Sequence, residues 1–186
     1  MTDLGWTDPA PGAPGAREVV LSLGTNLGDR LAHLREGVRL LCGDGTLGCV
    51  AVSGVYETAP VGGPPQGDYL NAVLLAVTAL PGREILRRGQ AAEAALDRVR
   101  AQRWGPRTLD VDVIACGDEV SADPVLTLPH PRARERAFVL VPWLEIAPDA
   151  VVPGRGRAAD LLAAIGTAGV RRVPGADLQL PGPESR

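Results

Sequence analysis

The 186-residue chain contains no lysine; all 19 of its basic residues are arginine. Every charged side chain that meets a phosphate must therefore present a planar guanidinium fork, and a P-loop lysine or a Schiff-base lysine is excluded. Codon bias toward Ala, Gly, Pro and Arg is enough to explain the surface arginines. Aromatic residues are scarce, at 3%, with one phenylalanine and two tyrosines, so few side chains are available to stack on a flat ligand. The three cysteines, Cys42, Cys49 and Cys116, are odd in number and lack metal-type spacing. They are expected as reduced thiols in small core positions, which suits a cytoplasmic protein. No run of 18 apolar residues and no charged-then-apolar leader occurs, so neither a membrane span nor a signal peptide is expected. Excess positive charge is also missing. A net charge of −3 argues against a duplex-binding surface, and no nucleic-acid partner is expected.

What remains is the composition of a folded protein, 45% hydrophobic and 22% charged, with a length that suits one domain. Residues 1–16, rich in proline and glycine, read as a disordered leader. Residues 17–173 read as the domain and 174–186 as a disordered tail. Within the domain, residues 18–24 form a buried strand ended by Gly24. Leu27, Leu31, Leu34, Val38 and Leu41 then recur at helical spacing, although Gly37 weakens that helix. Residues 47–58 read as one long strand and 61–68 as a loop. Residues 69–77 return as an antiparallel partner. Pro81 opens a second helix marked by Ile85, Leu86, Ala92, Ala95, Leu96 and Val99. With the strand at 109–114 the order becomes β-α-β-β-α-β, the ferredoxin-like α+β arrangement of an antiparallel sheet with both helices on one face. A short strand at 125–128, a segment at 132–146 broken by Pro142 and a helix at 158–165 follow, placed to cover the other face.

The stretch from Arg103 to Ile114 carries the strongest chemical signal. Leu109, Val111 and Val113 share one parity and Asp110 and Asp112 the other, so a strand here sends the apolar set into a core and both acids to the opposite face. Their Cα atoms lie about 6.6 Å apart at the usual strand rise, a spacing from which two carboxylates can bridge a pair of cations. Hard oxygen ligands of this kind suit magnesium, and Arg103 and Arg107 flank the strand entrance as a metal-bound triphosphate requires. An isolated D-x-D is more often the solvated face of an edge strand. The Trp104-Gly105-Pro106 turn with an arginine on each side is what tips the balance.

Other clusters are weaker. Thr25-Asn26-Leu27-Gly28 offers backbone amides to an anion at a helix start, though most such turns are simply caps. Tyr56 to Val61, with Gln66, Tyr69 and Asn71, presents amides and hydroxyls suited to the edge of a flat heterocycle, as would an ordinary polar strand end. Gln90 and Glu93 lie three apart on a helix face, and Arg98, Arg100 and Arg103 follow in a connection placed to fold over phosphates; a solvated basic loop is the alternative. The segments 128–132 and 136–138 bring together His130, Arg132, Arg136 and the only phenylalanine. His33, within the first helix, is a bystander.

Leu23-Gly24-Thr25-Asn26-Leu27-Gly28-Asp29, Tyr56-Glu57-Thr58-Ala59-Pro60, Tyr69-Leu70-Asn71-Ala72, the Trp-Gly-Pro-Arg-Thr-Leu-Asp-Val-Asp block at 104–112, and Pro129-His130-Pro131-Arg132 with Phe138 together resemble the 6-hydroxymethyl-7,8-dihydropterin pyrophosphokinases of folate synthesis. The resemblance runs from about Val19 to about Ile165. It implies a ferredoxin-like fold and transfer of a pyrophosphoryl group from ATP to the hydroxymethyl of a reduced pterin, leaving AMP. By position it implies that Asp110 and Asp112 hold two magnesium ions. Thr58, Ala59, Val61, Gln66, Tyr69, Asn71, Trp104 and Phe138 match pterin-pocket positions. Gln90, Glu93, Arg98, Trp104, Arg107, Val113, Leu126, Thr127, His130 and Arg136 match nucleotide-contacting ones, and Arg98, Arg100 and Arg107 join the two acids as catalytic groups. Asp97 stands where the family commonly has glycine, and Pro131 replaces an aromatic found in some members.

Small-molecule partners and a monomer are expected. Residues 97–102, joining a helix to the metal strand, are expected to act as a lid. Two other functions remain open: a ferredoxin-like nucleotide-binding regulatory module without catalysis, and a different magnesium-dependent transferase.

Overall fold

The computed structural model describes residues 15–96 and 105–182. Most of the expected leader and the whole expected lid lie outside the described residues, as do Arg98, Arg100, Arg103 and Trp104.

Alternation organises the sheet. In β1 (Arg17–Thr25), Val19, Leu21 and Leu23 turn to one face and Val20 and Ser22 to the other. After α1 (Arg30–Cys42) come β2 (Gly48–Val52), β3 (Tyr56–Thr58) and β4 (Tyr69–Thr78), then α2 (Gly82–Ala95) and β5 (Asp110–Cys116). β4 pairs antiparallel with β1, with β2 and with β3, and β5 pairs antiparallel with the free side of β1. The first face packs against both of these helices through Leu34, Val38 and Leu41 of α1 and Ile85 and Ala92 of α2. Gly37, a poor helix former, lies where α1 meets the sheet: a Cβ there would stand 3.0 Å from the side chain of Leu109.

The second face is covered later in the chain. A hairpin of β6 (Ser121–Ala122) and β7 (Thr127–Leu128) leads to a 3₁₀ turn at Ala133–Glu135 and then α3 (Ala137–Ile146). A small hairpin of β8 (Val151–Val152) and β9 (Gly156–Arg157) precedes α4 (Ala158–Ile165). Val139, Leu140 and Trp143 of α3 and Ala158 of α4 pack on Val20, Val73, Leu75 and Ile114. The result is a mixed α/β protein with an antiparallel sheet between two helical layers.

Five expectations are corrected. The single strand at 47–58 is two strands, because at the break Ser53 replaces a backbone acceptor with its own hydroxyl, which takes the Val73 N–H at 2.9 Å. The second helix stops at Ala95, with Leu96 as its cap; Val99 lies outside the described residues. Pro142 does not break α3, because it follows the first turn, where the loss is one hydrogen bond to the Phe138 carbonyl. Cys42 and Cys49 are not reduced thiols but a disulfide, since the end of α1 and the start of β2 bring their Cα atoms to 5.7 Å; Cys116 is free and buried.

The fifth correction concerns the tail. β10 (Arg171–Arg172) pairs with β3, and Ala176 and Leu178 are buried in the core beneath α1, with Leu180 packed against it. The alternation of apolar residues at 176, 178 and 180 is that of an extended segment laid on an apolar surface. Leu178→Ala should therefore cost about 2–5 kcal/mol in urea unfolding with an unchanged m-value. A change within about 0.5 kcal/mol is the signature of a solvated tail and would overturn this packing.

Candidate active site

Because Val111 and Val113 are committed to the α1/α2 core, Asp110 and Asp112 of β5 must face the other way. They emerge where the α3 layer does not cover the sheet. In the ladder with β1, Asp112 stands opposite Ser22 and Asp110 opposite Gly24. One step across, Gly24 pairs with Asn71 of β4, and Asn71 with Tyr56 of β3. Strand pairing alone thus sets two acids, a hydroxyl, a glycine and an amide in a row.

A cleft of about 810 Å³ opens over this row. Its floor includes Ser22, Gly24, Asn71, Asp110 and Asp112; one wall is Thr58, Ala59, Val61, Gln66 and Tyr69, and another is Arg132, Glu135 and Arg136 of the 3₁₀ turn and its flanks with Phe138 from the first turn of α3. Arg107 closes one end, and residues 165, 166 and 168–170 form the last wall. The structure brings together Thr58, Ala59, Val61, Gln66, Tyr69, Asn71, Arg107, Asp110, Asp112, Arg136 and Phe138, drawn from five separate segments.

Each carboxylate has its own cation. Asp110 is paired with Arg107. Asp112 accepts from Arg136 Nη1 at 2.8 Å, with His130 Nε2 at 3.8 Å. Burial works against the charge of Arg107, but Asp110 beside it more than offsets this, and the arginine's pKa rises. His130 is pushed the other way, chiefly by burial, with the pull of Asp112 opposing, so its pKa falls below the ordinary value and the ring is neutral at pH 7. The Arg132 N–H donates to His130 Nδ1 at 3.2 Å, which leaves the ring proton on Nε2, facing Asp112.

Asn71 is buried, and its Nδ2 donates to Thr58 Oγ1 at 2.9 Å and, at 3.4 Å, to the Tyr56 carbonyl. Its Oδ1 is thereby presented over Gly24, where a Cβ would stand 3.3 Å away. That combination is an acceptor fixed in a slot floored by backbone, suited to an N–H on the edge of a flat ring. Phe138 lines the same cleft, with the Arg136 guanidinium 5.5 Å from its ring centre.

Several nucleotide-contact candidates lie elsewhere. Gln90 is exposed on α2, while Val113 and Leu126 have buried side chains in the core, so for Val113 only the backbone is open to a ligand. Thr127 Oγ1 donates to the Asp123 carbonyl at 3.0 Å. Glu93 is almost fully buried, and its Oε1 accepts the backbone N–H of Val111 at 2.9 Å, the residue between the two acids. Its observed task is to hold the outer edge of β5.

Asn26 is also more than a cap. It is buried, takes the Arg107 N–H at 2.8 Å, and donates from Nδ2 to Gln66 Oε1 at 2.9 Å and the Gly67 carbonyl at 3.1 Å, tying two of the cleft's segments together. The N-terminus of α1 is capped by Asp29, and His33 braces the preceding turn through the Leu27 carbonyl. Sequence reasoning missed Ser22, Glu135 and residues 165, 166 and 168–170. For Ser22 the signal was available, since it shares parity with the acids' partner positions.

An α+β scaffold that gathers paired carboxylates, guanidinium groups and a slot for a flat ring defines an enzyme handling a small, anionic, heterocycle-bearing substrate. Residues 20–148 match the model of the 7,8-dihydro-6-hydroxymethylpterin-pyrophosphokinase (HPPK) family. The chain belongs to that family. It is 52% identical over 143 residues to the 2-amino-4-hydroxy-6-hydroxymethyldihydropteridine pyrophosphokinase of Mycobacterium tuberculosis, covering 71% of this chain and 73% of the relative. The protein of the same name from Methylorubrum extorquens is 43% identical over 153 residues, covering 82% of this chain and 96% of that one. Among solved structures, the wild-type Plasmodium falciparum HPPK-DHPS with SDX-DHP superposes with a TM-score of 0.64 at 13% identity over 84% of this chain, a likeness of fold. This chain spans 48% of that longer one.

If Glu93 holds β5, Glu93→Leu should leave the Val111 amide buried and unpaired, at a cost of about 1–3 kcal/mol in unfolding free energy. Glu93→Gln, which keeps an oxygen acceptor, should cost less. Hydrogen exchange at the Val111 amide reads this directly; undiminished protection in Glu93→Leu would show that the contact does no structural work.

Proposed function

We infer that the chain transfers the pyrophosphoryl group of ATP to the hydroxymethyl oxygen of 6-hydroxymethyl-7,8-dihydropterin, releasing AMP, as a step of folate synthesis. The observation that carries the reading is the single cleft in which Asp110, Asp112, Arg107 and Arg136 meet the Asn71 slot and Phe138, taken with the names of the 42–52% identical relatives. The core is read as ferredoxin-like βαββαβ, with β2 and β3 as two halves of one strand; the order β3-β4-β1-β5 supports this. The enzyme is read as a cytoplasmic monomer acting on small molecules. Among the described residues no helix is long and apolar enough to cross a membrane, while the Cys42–Cys49 bond is the feature that sits least easily with a reducing compartment.

Magnesium fits the residues present. Asp110 and Asp112 offer hard oxygens on one strand face, open to the cleft, and no group of three or more His, Cys, Asp or Glu side chains is assembled among the described residues. A two-carboxylate set of this kind suits an ion that keeps waters and takes its other oxygens from substrate phosphates. Bound by Asp110 and Asp112, two such ions would neutralise charge on the triphosphate.

The remaining work falls to side chains of the cleft. In this reading the pterin lies with its ring edge on Asn71 and Thr58 and its face against Phe138, with Tyr69 on the opposite side. Its hydroxymethyl then points toward the acids. Displacement at the β-phosphorus needs in-line geometry and cations on the oxygens that gain charge, which positioning and electrostatics supply. Arg107 and Arg136 are placed to exchange their carboxylate partners for phosphate oxygens, His130 to donate Nε2–H to one, and Gln66 to steady the pterin loop. Gln90, Glu93, Val113, Leu126 and Thr127 are read as the nucleotide side of the site, along the outer edge of β5, with Arg98, Arg100 and Trp104 joining from outside the described residues.

Incubation with ATP, magnesium and the reduced pterin should yield AMP; ADP, or no turnover, would overturn the reading. Asp110→Asn and Asp112→Asn should each lower kcat by about 10²–10³-fold while leaving pterin affinity nearly unchanged. Normal kcat in both at ordinary magnesium would remove the metal assignment. Calorimetry with a pterin analogue and a non-hydrolysable nucleotide should show Asn71→Ala and Phe138→Ala each losing about 1–3 kcal/mol. Unchanged affinity in either would mean that the pocket lies elsewhere.

A further inference from the structure

Glu145 lies near the C-terminal end of α3, outside the cleft, yet its carboxylate meets the supports of three cleft walls. Its Oε2 accepts the Gly54 N–H at 2.9 Å and the Tyr56 hydroxyl at 3.1 Å, and its Oε1 meets Arg172 Nη2 at 3.0 Å. Gly54 leads into β3 and Tyr56 opens it, and the strand runs on to Thr58 and then Ala59 on the cleft wall. Tyr56 is buried and is also the sheet neighbour of Asn71, whose amide reaches the Tyr56 carbonyl. Phe138 is seven residues before Glu145 on α3, about two helical turns, and so projects from the same side of the helix. Arg172 follows residues 165, 166 and 168–170, which form the last wall, and it lies beyond the end of the family match at residue 148.

We propose that Glu145 is a positioning residue for the pterin, setting the distance between the Thr58–Asn71 wall and the Phe138 wall through its ties to Gly54, Tyr56 and Arg172. A flat ring held by its edge on one wall and its face on another is sensitive to that distance, whereas the triphosphate side, anchored on β5, is not. The geometry favours such a task over a mere surface ion pair. Glu145 and Arg172 are exposed, and their ion pair alone is weak; the Gly54 amide and the buried Tyr56 hydroxyl on the same carboxylate are what tie it to β3. Tyr56 remains a donor throughout the physiological range, its pKa raised first by burial and then by this contact.

The proposal rests on the pterin reading above, and the test separates the two. Glu145→Leu removes all three ties. It should raise both KM and the calorimetric Kd for the pterin about tenfold, with kcat changed less than about threefold and KM for ATP unchanged. Glu145→Gln keeps an oxygen for Gly54 and Tyr56 and should stay within about threefold of wild type, a rescue that a purely volumetric role would not give. If Glu145→Leu does not fold, Tyr56→Phe and Arg172→Leu each remove one tie, and each should raise pterin KM by about threefold. A folded Glu145→Leu with pterin KM and Kd unchanged, equal rises in KM for both substrates, or silence in both single-tie variants would overturn the proposal. Pterin binding without AMP formation by wild type would instead sink the functional reading and leave the Kd comparison to decide on Glu145.

Discussion

A strand shifted by one residue presents every side chain to the opposite face; the β1–β5 ladder does shift by one residue, but between Val20 and Leu21, beyond the stretch that carries the two acids. The register of that stretch against β1, Ser22 opposite Asp112 and Gly24 opposite Asp110, places Val111 and Val113 in the α1/α2 core and both acids under the cleft. The slipped register would bury two carboxylates beneath α1 and α2, where the effective penalty is several kcal/mol per ion, and would expose two valines. That asymmetry keeps the acids paired and facing the cleft. Glu93 guards the same strand from its outer side, and Gly37 lets Leu109 settle onto α1 just before the first acid. Fold and site therefore rest on one pairing.

The cation set follows from the absence of lysine. Asp110 and Asp112 are each held by an arginine, Arg107 and Arg136, so each carboxylate is balanced by a guanidinium. All four side chains remain 19–33% exposed, which keeps these pairs modest in energy and exchangeable. A guanidinium fork can leave a carboxylate for a phosphate without loss of geometry, since both accept two parallel hydrogen bonds. Neutral His130, with its proton directed at Asp112, adds a donor without adding charge.

Much of this was legible in the chain. The alternation from Leu109 to Val113 and the helical spacing of Leu34, Val38 and Leu41 require only local periodicity, and the structure follows them; the strand count does not, because the expected strand at 47–58 is two strands. Local patterns also located the amide-rich wall from Thr58 to Asn71. What escaped depends on distant partners. The alternation of Ala176, Leu178 and Leu180 is present, but Pro174 and Gly175 ahead of it read as the start of a solvated tail, and only the core that Leu34, Val38 and Leu41 share with it makes it a packed segment. Cys42 and Cys49 are seven apart, a spacing that decides nothing until a helix end and a strand start bring them together. Glu93 reads only as a helix-face acid three residues after Gln90; its hold on the Val111 amide shows once β5 lies beside α2. Residues 165, 166 and 168–170 reach the cleft only because β10 returns to β3.

The claim at the centre, that the β1–β5 register puts the metal-nucleotide site on the cleft face of β5, is tested most directly by paramagnetic relaxation. Manganese with a non-hydrolysable ATP analogue, titrated into isotope-labelled protein, should broaden amide signals most strongly at Ser22, Asp110, Asp112 and the start of α3, and leave Leu34 and Val38 of α1 sharp. Broadening centred on the α1 face, or spread without focus over the acidic surface, would contradict it.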